Sequence, residues 1–485
     1  MGIRTGDEYR QSLRDNRMLY VDGKLVRDVT EYAPMRGVID TIASVYDQQH
    51  APQHKDLLTF ASPTSGDPVS KTYLEAQTAD EFQQLAACFH FRALSTFGLM
   101  GRLTDFMSGF LMDQACGLRA MGKLEAAEKA RKIVDNCREN DLQVTHALID
   151  PQSDRSKDGA PNEAIHVIER RADGVVVSGC RMLSTLAPVA NECYIGPYFP
   201  RKPGEEDFVL AFQIPMNTSG FSILARQTYD QGQPEFDRPL TNRFDEGDAI
   251  LVFEEVFIAN DRLIVNGDLE AYNSMIRLGV GYTAIQATTR STMKLRFLTG
   301  LATAIARANG RDKTTRFQAA IGELAALVNV SEGIRSGAIA DSIRRVQAYA
   351  QGEMRPQGDG LGEPAFQGAS GFAALNFFFP YANTKAADVL RMAAGSGVLA
   401  QTEADYNNPI VGSLLDRWLI GPNIDAKHRL QLMRLAWDMT GTEFGSRAGL
   451  YEQLYSGDPE RNAINWFNSP TTQECEMLVT QLLDR

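Results

Sequence analysis

Arg102 is the first residue of this chain whose type and setting indicate chemistry. It lies in the apolar stretch 97–106, directly after Gly101 and before two further apolar turns. Because an arginine stays ionised at any ordinary pH, it needs a partner in such a setting. Asp105, three residues on, could provide one in a helix-surface ion pair, and the alternative is a bound anion or an oxygen-rich cofactor. The spacing taken alone favours the ion pair.

A histidine and a glycine-containing segment are the next candidates. His146 stands at the predicted junction of a helical and a β region, where ligand clefts often form, and could serve as an acid, a base or a hydrogen-bond donor. The simpler interpretation is a histidine that caps a buried carbonyl group. Residues 440–447 hold two glycines, hydroxyl groups and an arginine, which could bind a phosphate. An ordinary turn between two helices explains the same pattern, and both interpretations stay open.

Two familiar kinds of site are excluded by the residue pattern. Residues 279–284 match the G-x-G-x-x-A dinucleotide fingerprint, but the residues before them are not strand-like and residues 298–310 contain no acid. The six cysteines include no C-x-x-C pair, and the six histidines form neither an H-E-x-x-H nor an H-x-H motif. We therefore predict neither a dinucleotide site nor a metal site, and we expect free thiols in a reducing cytoplasm.

The composition is that of an ordinary globular protein. A chain of 485 residues with 44% hydrophobic and 23% charged residues can bury a large core. Its formal net charge of -12 argues against nucleic acid or an anionic membrane as the main partner, since no basic excess exists to release counterions. No uncharged apolar run is long enough to span a membrane, and the polar, acidic N-terminus lacks a signal-peptide core. We expect a cytoplasmic protein.

The periodicity of the chain changes twice. A short helix and a hairpin with the turn Asp22-Gly23 come first, and the pattern is helical from about 37 to 145. Between about 150 and 260, short apolar runs separated by turn residues predict an antiparallel β domain, either a small barrel or a sandwich. Long helices follow from about 270, with the glycine-rich interval 352–371 as a loop. The predicted fold class is α+β, with a mainly helical domain at 1–147, an antiparallel β-barrel domain at 148–265 and a helical bundle at 266–485.

A set of short stretches recurs, in the same order, in one known family. These stretches are 6–13 (GDEYRQSL), 21–23, 27–30 (RDVT), 100–102, 145–147, 154–155, 239–246 (PLTNRFDE), 407–409 (NNP) and 441–447. Each of them alone is weak, but their order over nearly the whole chain is specific. The chain resembles the oxygenase components of the two-component, reduced-flavin-dependent monooxygenases related to 4-hydroxyphenylacetate 3-hydroxylase and the chlorophenol monooxygenases.

This resemblance implies a fold, a cofactor and partners. The family has an acyl-CoA-dehydrogenase-like fold, with an α domain, a β domain and a C-terminal helical bundle in the order found above. It implies a homotetramer, or dimer of dimers, that receives FAD as FADH2 from a separate NAD(P)H:flavin reductase and uses molecular oxygen. A flavin C4a-hydroperoxide would then hydroxylate a small phenolic or related aromatic substrate. The lack of a dinucleotide fingerprint agrees with this, because NAD(P)H need not bind to this chain.

The resemblance also assigns site residues by position. Arg102 would stabilise a phenolate or the developing charge of the peroxide, and His146 would donate to the substrate hydroxyl or favour its deprotonation. The loop 196–206 matches the mobile substrate loop of the family in place but not in residues. The residues expected to contact the substrate are Gly101, Phe106, Phe199 and Pro200. The residues expected to contact FAD are His146, Gln152, Ser153, Asp154, Arg155, Thr185, Phe444, Gly445, Ser446 and Arg447.

Phe106 departs from the pattern of the family. Hydroxyphenylacetate hydroxylases carry a tyrosine four residues after this arginine, so a hydroxyl that could contact the substrate or the peroxide is missing. A pocket built around a hydroxyl discriminates strongly for it, and its loss changes which ligand fits. We therefore expect a bulkier or less polar phenol, a halophenol or a natural-product intermediate rather than 4-hydroxyphenylacetate. Displacement of a halide or nitro group is an alternative outcome.

Three other classes of protein share parts of this pattern. A 4-hydroxybutyryl-CoA dehydratase of the same superfamily needs cysteine ligands for an iron–sulfur cluster, and none occurs in 97–110 or between Cys193 and Cys475. An acyl-CoA dehydrogenase would share the fold but would use a carboxylate base and tightly held oxidised FAD, and would purify yellow. A scaffold-type relative would bind no reduced flavin and consume no oxygen.

Overall fold

The chain divides into two compact units. A computed structural model describes residues 2–154, 156, 159–275, 279–351, 371 and 373–483. The first unit comprises Met1–Thr96, Met100–Gln233 and Thr241–Gln286, and the second comprises Phe97–Leu99, Pro234–Leu240 and Ala287–Arg485. Arg155 lies outside the described residues. So does the predicted loop 352–371, apart from its last residue. The division into three domains at 1–147, 148–265 and 266–485 stays a prediction.

The first unit combines helices with strands. Its helices are α1 (Gly6–Ser12), α2 (Arg36–Asp47), α3 (Lys55–Leu58), α4 (Ala79–Ser95), α5 (Thr104–Ala120), α6 (Leu124–Glu139), α7 (Thr241–Phe244), α8 (Leu269–Met275) and the beginning of α9 (Tyr282–Ala308). Its strands are β1 (Met18–Val21), β2 (Lys24–Val26), β3 (Thr59–Ala61), β4 (Pro68–Ser70), β5 (Val144–Ala147), β6 (His166–Arg171), β7 (Gly174–Thr185), β8 (Glu192–Ile195), β9 (Leu210–Pro215), β10 (Phe221–Ala225), β11 (Asp248–Ala259) and β12 (Leu263–Asn266).

The strands of the first unit form open sheets. Among the described residues, the larger sheet has the order β2-β1-β10-β11-β7-β6, the smaller one has the order β12-β9-β8-β5, and β3 pairs with β4. The end strands of both larger sheets have one neighbour each, so neither sheet closes. Two pairings, β1 with β10 and β5 with β8, are parallel. The expected barrel is therefore wrong in its closure, whereas the strands of the predicted domain at 148–265 pair with one another in antiparallel fashion, as expected. The parallel pairings add β1 and β5 from outside that range, because alternation identifies a strand without specifying its partner.

The N-terminal hairpin lies where the sequence predicts it. Asp22 and Gly23 have φ values of 51° and 71°, which are the left-handed conformations of a two-residue hairpin turn. The hairpin also extends the larger sheet, since Met18 of β1 lies opposite Ser222 of β10. A local turn signal is enough to predict the hairpin, but not the place of β1 beside a distant strand.

Helix α5 positions the beginning of α9 in the first unit. Asp113 of α5 accepts hydrogen bonds from the amide of Gly281 at 2.8 Å and from the amide and hydroxyl of Thr283 at 2.9 and 2.7 Å. A Cβ on Gly279 would lie 2.5 Å from the Asp113 Cβ, so glycine allows this close approach. The stretch that matches the dinucleotide fingerprint thus forms a helix start capped by a carboxylate.

The regular elements found among the described residues of the second unit are helices. Its elements are α9, α10 (Thr315–Ala350), a π-helical turn (Ala374–Phe378), α11 (Phe379–Ala394), α12 (Glu403–Asn407), α13 (Pro409–Trp418), α14 (Ala426–Thr440), α15 (Glu443–Gln453), α16 (Pro459–Phe467) and α17 (Pro470–Leu483). None of the helices in the described part of the chain is long and apolar enough to cross a membrane.

A buried ionic cluster lies inside the second unit. Glu452 of α15 accepts hydrogen bonds from Arg290 Nη1 at 2.5 Å and from Lys294 Nζ at 3.0 Å, both from α9. All three side chains are almost fully buried. Burial would raise the pKa of Glu452, but the charges of Arg290 and Lys294 outweigh it and lower that pKa to about 2. One carboxylate therefore holds two cations inside the helical unit.

We expect Glu452→Gln to lower the free energy of unfolding by about 3–5 kcal/mol, because it leaves Arg290 and Lys294 buried without their counter-charge. Since the folded-state pKa is depressed, the contribution of Glu452 is present above its ordinary value near 4.5 and is lost as pH falls toward 2. Urea unfolding at pH 7 measures the change. The control is Glu332→Gln, because Glu332 pairs with partly exposed Arg335 and should matter by less than about 1 kcal/mol. Equal losses in the two variants would contradict the ionic role of Glu452.

Candidate active site

The segment before α5 holds Arg102 through its backbone. The Oε1 atom of Glu246 accepts hydrogen bonds from the amides of Gly101 and Arg102, at 2.7 and 3.1 Å. The carbonyl of Arg102 accepts a hydrogen bond from Gln143 Nε2 at 3.1 Å. Glu246 is the last residue of the family-like stretch 239–246, and its role is to hold the backbone of Gly101 and Arg102 in position.

The side chain of Arg102 is buried against an aromatic ring. Its Cζ lies 4.0 Å from the centre of the Phe106 ring, which is a cation–π geometry. Asp105 is buried as well, and its carboxylate accepts hydrogen bonds from the Phe106 amide at 2.9 Å and from Gln286 Nε2 at 3.0 Å. A surface ion pair between Arg102 and Asp105 is therefore the wrong interpretation, because both side chains lie inside the protein.

His146 contacts the same ring. Its own ring centre lies 5.6 Å from that of Phe106 and 6.0 Å from that of Phe110. Both ring nitrogens are buried and make no hydrogen bond with any described residue, so the interpretation as a cap of a buried carbonyl is wrong. Burial, reinforced by the charge of Arg102, holds the pKa of His146 well below its usual range. The imidazole is therefore neutral at ordinary pH.

Phe106, Phe110, His146 and Tyr194 together form a surface that we call the aromatic wall. The rings of Phe106 and Phe110 stack at 6.1 Å, and Tyr194 meets Phe110 edge-on at 5.3 Å. Tyr194 lies opposite His146 in the pairing of β8 with β5. A buried cation and a neutral imidazole beside apolar rings are suited to an aromatic ligand that carries a hydroxyl group.

Three of the residues predicted to contact FAD lie in the exposed segment after β5. These are Gln152, Ser153 and Asp154. The hydroxyl of Ser153 donates to Glu163 Oε2 at 3.0 Å, and Asp154 Oδ1 accepts from the amide of Ser156 at 3.0 Å. Arg155 lies outside the described residues. The segment offers polar groups to solvent, and its contact with FAD stays a prediction.

Thr185 is the predicted cofactor residue that the structure places beside His146. It ends β7, its Oγ1 donates to Asp248 Oδ1 at 2.8 Å, and its carbonyl accepts a hydrogen bond from the hydroxyl of Thr145. Because Thr145 precedes His146 on β5, this hydrogen bond joins the end of β7 to the strand that carries His146.

The remaining predicted cofactor residues belong to the second unit. Phe444, Gly445, Ser446 and Arg447 lie in the first turns of α15. The hydroxyl of Thr442 accepts from the Gly445 amide at 3.2 Å, and a Cβ on Gly445 would lie 2.5 Å from the carbonyl carbon of Met439. A close turn between α14 and α15 thus explains the threonine and the glycine. Binding of FAD by this turn stays a prediction.

The predicted substrate loop is anchored by a residue that motif matching does not reveal. Phe199 is half-buried and Pro200 is exposed, but Arg201 is buried and its Nη2 donates to Asp150 Oδ2 at 2.5 Å. Asn273 accepts from the Arg201 amide at 2.7 Å and donates to its carbonyl at 2.8 Å. The signal in the sequence was an arginine among prolines and apolar residues.

Arg181 is a second buried arginine that no motif points to. It lies on β7, its side chain is 1% exposed, and its Nη1 donates to Asp150 Oδ1. A charged residue inside an otherwise apolar or small-residue strand was the available signal. Arg181, Asp150 and Arg201 meet only because the fold brings their separate segments together.

Comparisons with known proteins identify the family of this chain. Residues 5–265 match the family described as 4-hydroxyphenylacetate 3-hydroxylase N terminal, and residues 279–484 match 4-hydroxyphenylacetate 3-hydroxylase C terminal. A 4-hydroxyphenylacetate 3-monooxygenase oxygenase component from a Geobacillus species is 32% identical, over 100% of this chain and 97% of the relative. A Streptomyces globisporus monooxygenase of a chloro-hydroxyphenyl aminopropanoyl group on a peptidyl-carrier protein is 30% identical, over 96% of this chain and 87% of the relative.

A solved structure extends the likeness to three dimensions. The oxygenase component of 4-hydroxyphenylacetate 3-monooxygenase, complexed with FAD and 4-hydroxyphenylacetate, matches with a TM-score of 0.86 at 27% identity, over 99% of each chain. The predicted acyl-CoA-dehydrogenase-like fold class is confirmed, with open sheets in place of a barrel. From residue 5 to residue 484, apart from a short gap, the chain belongs to the 4-hydroxyphenylacetate 3-hydroxylase family.

Proposed function

We propose that this chain is the oxygenase component of a two-component, FADH2-dependent monooxygenase that hydroxylates a phenolic or related aromatic substrate with molecular oxygen. One observation carries the proposal: the buried cation of Arg102 and the neutral, uncommitted imidazole of His146 lie at the same aromatic wall. The reaction class is that of the family, whose solved member binds both FAD and a phenol.

The residues present fit a flavin and an aromatic substrate. Buried polar atoms in native proteins nearly always have a partner, and both nitrogens of His146 lack one among the described residues. Bound FAD supplies the oxygen chemistry, and the chain supplies position and charge. The proposed FAD contacts are His146, Gln152, Ser153, Asp154, Arg155, Thr185, Phe444, Gly445, Ser446 and Arg447. The proposed substrate contacts are Gly101, Phe106, Phe199 and Pro200.

Arg102 and His146 have different proposed roles. The fixed positive charge of Arg102 favours the phenolate form of the substrate, which makes the aromatic ring more electron-rich. His146 is neutral, so it hydrogen-bonds the substrate hydroxyl and fixes the direction in which that group points. The packing of His146 against Phe106 and Phe110 keeps the imidazole in place without using its nitrogens.

Phe106 is proposed to decide which phenol is preferred. We expect Phe106→Tyr to shift the kcat/KM preference about ten- to a hundredfold toward 4-hydroxyphenylacetate over its bulkier 3-chloro derivative, because the new hydroxyl adds a polar contact and takes up space. Steady-state kinetics with both phenols measure the ratio. Phe110→Tyr, which adds a hydroxyl elsewhere on the aromatic wall, is the control. An unchanged ratio in Phe106→Tyr would remove this residue from substrate choice.

The proposed partners are a separate NAD(P)H:flavin reductase and further copies of the chain. The fingerprint-like stretch 279–284 is accounted for by the Asp113 cap, which supports delivery of reduced flavin from elsewhere. Large apolar side chains are exposed on α13 and α17, which supports a homotetramer. They include Ile410, Leu414, Trp418, Leu478 and Leu482. Sedimentation of the purified protein tests the oligomer, and the proposed location is the cytoplasm.

The decisive experiment supplies FAD, a flavin reductase, NADH and labelled dioxygen with a panel of phenols, including chlorinated and nitrated ones. Mass spectrometry should find one labelled oxygen atom in a hydroxylated product. The panel also distinguishes plain hydroxylation from loss of halide or nitrite, and the same assay with phenols tethered to a carrier protein distinguishes free from carrier-bound substrates. The proposal fails if flavin is oxidised but no aromatic compound of the panel gains oxygen.

A further inference from the structure

Leu183 is exposed while its backbone has a conformation that leucine rarely adopts. Its φ is 59°, in the left-handed region, where the Cβ of a residue crowds the following carbonyl oxygen. Leu186 shares this conformation with a φ of 65°, but it is fully buried, so packing in the core compensates for its strain. Leu183 lacks this compensation, because it is 55% exposed.

A β-bulge in β7 turns Leu183 outward. Between Arg181 and Ser184, β7 has one residue more than the facing part of β11. The amide of Met182 leaves the pairing with β11 and donates to the carbonyl of Ile149 at 2.8 Å. Bulges of this kind often lie beside functional sites, where they redirect a side chain. The strained and exposed leucine is therefore a feature of the fold that calls for a ligand-based explanation.

Two parts of the predicted cofactor site lie near Leu183. Thr185, at the end of β7, follows it by two positions. Ile149 pairs with Met182 and leads within three residues into the exposed segment 152–154. Both Thr185 and that segment were assigned to FAD for reasons independent of Leu183. The exposed leucine therefore lies where the cofactor is expected in the first unit.

The hydrogen bonds next to Leu183 indicate which end of the cofactor belongs here. The hydroxyl of Ser184 donates to the carbonyl of His146 at 3.1 Å, and the carbonyl of Thr185 accepts from the hydroxyl of Thr145. Both bonds join the end of β7 to the strand that carries His146, where the substrate hydroxyl is proposed to bind. Because the reacting part of a cofactor has to meet the substrate, the isoalloxazine ring belongs at this end, and the adenine lies farther away.

We propose that Leu183 packs against the isoalloxazine ring of FAD in the complex and keeps water away from it. This inference rests on the proposed function and adds a cofactor contact that the family-like stretches do not include. The ring would cover the apolar surface that Leu183 exposes, and this burial would compensate for the strained backbone. An apolar cover also limits the access of water to the place where the oxygen chemistry occurs.

Leu183→Gly separates a role in cofactor binding from a role in folding. Glycine adopts a positive φ without strain, so the variant should unfold at the same urea concentration as wild type or a higher one. Because the apolar cover is lost, the dissociation constant for FADH2 should rise roughly five- to fifteenfold. ADP, which has the adenine and the pyrophosphate but not the ring, should bind equally well to both proteins. Anaerobic equilibrium dialysis, with FADH2 prepared by dithionite, measures both constants.

Two further variants serve as controls. Leu183→Met keeps an apolar side chain and should keep the wild-type affinity for FADH2. Leu224→Ala removes a leucine that is 40% exposed on β10 of the same sheet, and it should leave FADH2 binding unchanged. If the glycine variant does not fold, Leu183→Asn replaces it, because asparagine also tolerates a positive φ and its polar side chain should weaken FADH2 binding.

Each other result has a defined meaning. Wild-type affinity for FADH2 in Leu183→Gly overturns the proposal, and an equal loss of affinity for ADP assigns the residue to the adenine end and overturns it as well. A change in sedimentation without weaker FADH2 binding shows that a second copy of the chain covers Leu183. If FADH2 binding weakens as expected but wild type oxygenates no aromatic compound, the ring contact stands and the proposed function fails. If wild type binds no FADH2, both are wrong.

Discussion

Arg102→Ala will reduce the product formed per flavin oxidised by roughly a hundred- to a thousandfold, which is the usual effect of removing one group that stabilises developing negative charge. The guanidinium lies over Phe106 and beside His146, at the aromatic wall where the phenol is proposed to bind. Without this cation the phenolate loses its counter-charge, and oxidation of the flavin no longer leads to a hydroxylated ring. The oxygen is then expected to leave as hydrogen peroxide.

The fold should survive this substitution, because the contacts that hold the segment involve backbone atoms. Glu246 binds the amides of residues 101 and 102, and Gln143 binds the carbonyl of residue 102, all of which an alanine retains. The lost cation–π contact is worth about 0.5–2 kcal/mol. We therefore expect a small fall in melting temperature together with a very large fall in coupling, that is, in the product formed per flavin oxidised.

Coupling is measured as hydroxylated product by mass spectrometry divided by oxygen consumed, with hydrogen peroxide determined in parallel. Arg102→Lys is the matched variant: it keeps the charge but lacks the planar fork, so it should fall between wild type and alanine. Arg170→Ala, at a surface position, should behave as wild type. Wild-type coupling in Arg102→Ala would remove this residue from the mechanism.

The parts of the fold that could be predicted from the sequence depend on neighbours in the chain. The turn at Asp22 and Gly23 needs two left-handed residues, and Asp-Gly is suited to them. The change from helical to alternating periodicity after about residue 145 and back near 270 follows from which face of each element is buried. These local signals were sufficient to predict the α/β/α order of the chain. The reaction class was predicted from the resemblance to a known family.

The remaining features depend on residues far apart in the chain. Parallel pairing of β5 with β8 and the open ends of the sheets cannot be deduced from alternation. Burial of both Arg102 and Asp105 overturned an interpretation that spacing alone favoured. Likewise, positions 150, 181 and 201 lie in separate segments, so their shared carboxylate becomes visible only in three dimensions. Arg102 and His146 could be predicted as site residues, whereas the ion pairs that Asp150 forms with two arginines could not.

His146→Phe will lower the rate of product formation by about a hundredfold or more while leaving the protein equally stable or more stable. The two effects have one cause. The imidazole nitrogens are buried without partners among the described residues, which is unfavourable for the free protein but leaves them available to a substrate hydroxyl. Phenylalanine can pack against Phe106 and Phe110 as the imidazole does and removes those nitrogens, so packing is kept and the hydrogen bond to substrate is lost.

The pH dependence of stability provides a second observable for the same variant. The folded protein keeps His146 neutral because its pKa is well below the usual range, whereas the unfolded chain takes up a proton near pH 6.5. Below that pH the unfolded state binds more protons, so His146 lowers the free energy of unfolding by about 1.4 kcal/mol per pH unit until the folded pKa is reached. Above it the contribution vanishes. The His146→Phe variant lacks this pH-dependent contribution to the free energy of unfolding.

Urea unfolding of wild type and of His146→Phe at pH 7.5 and pH 5.5 therefore distinguishes two explanations for the lost activity. If His146 hydrogen-bonds the substrate, the variant is poorly active, at least as stable as wild type at pH 7.5, and relatively more stable at pH 5.5. A histidine that merely supports the fold would instead give a variant that is both less active and less stable at the higher pH. Phe110→Leu, which loosens the same wall but keeps the nitrogens, should show that second pattern, because it creates a cavity without removing a hydrogen-bonding group.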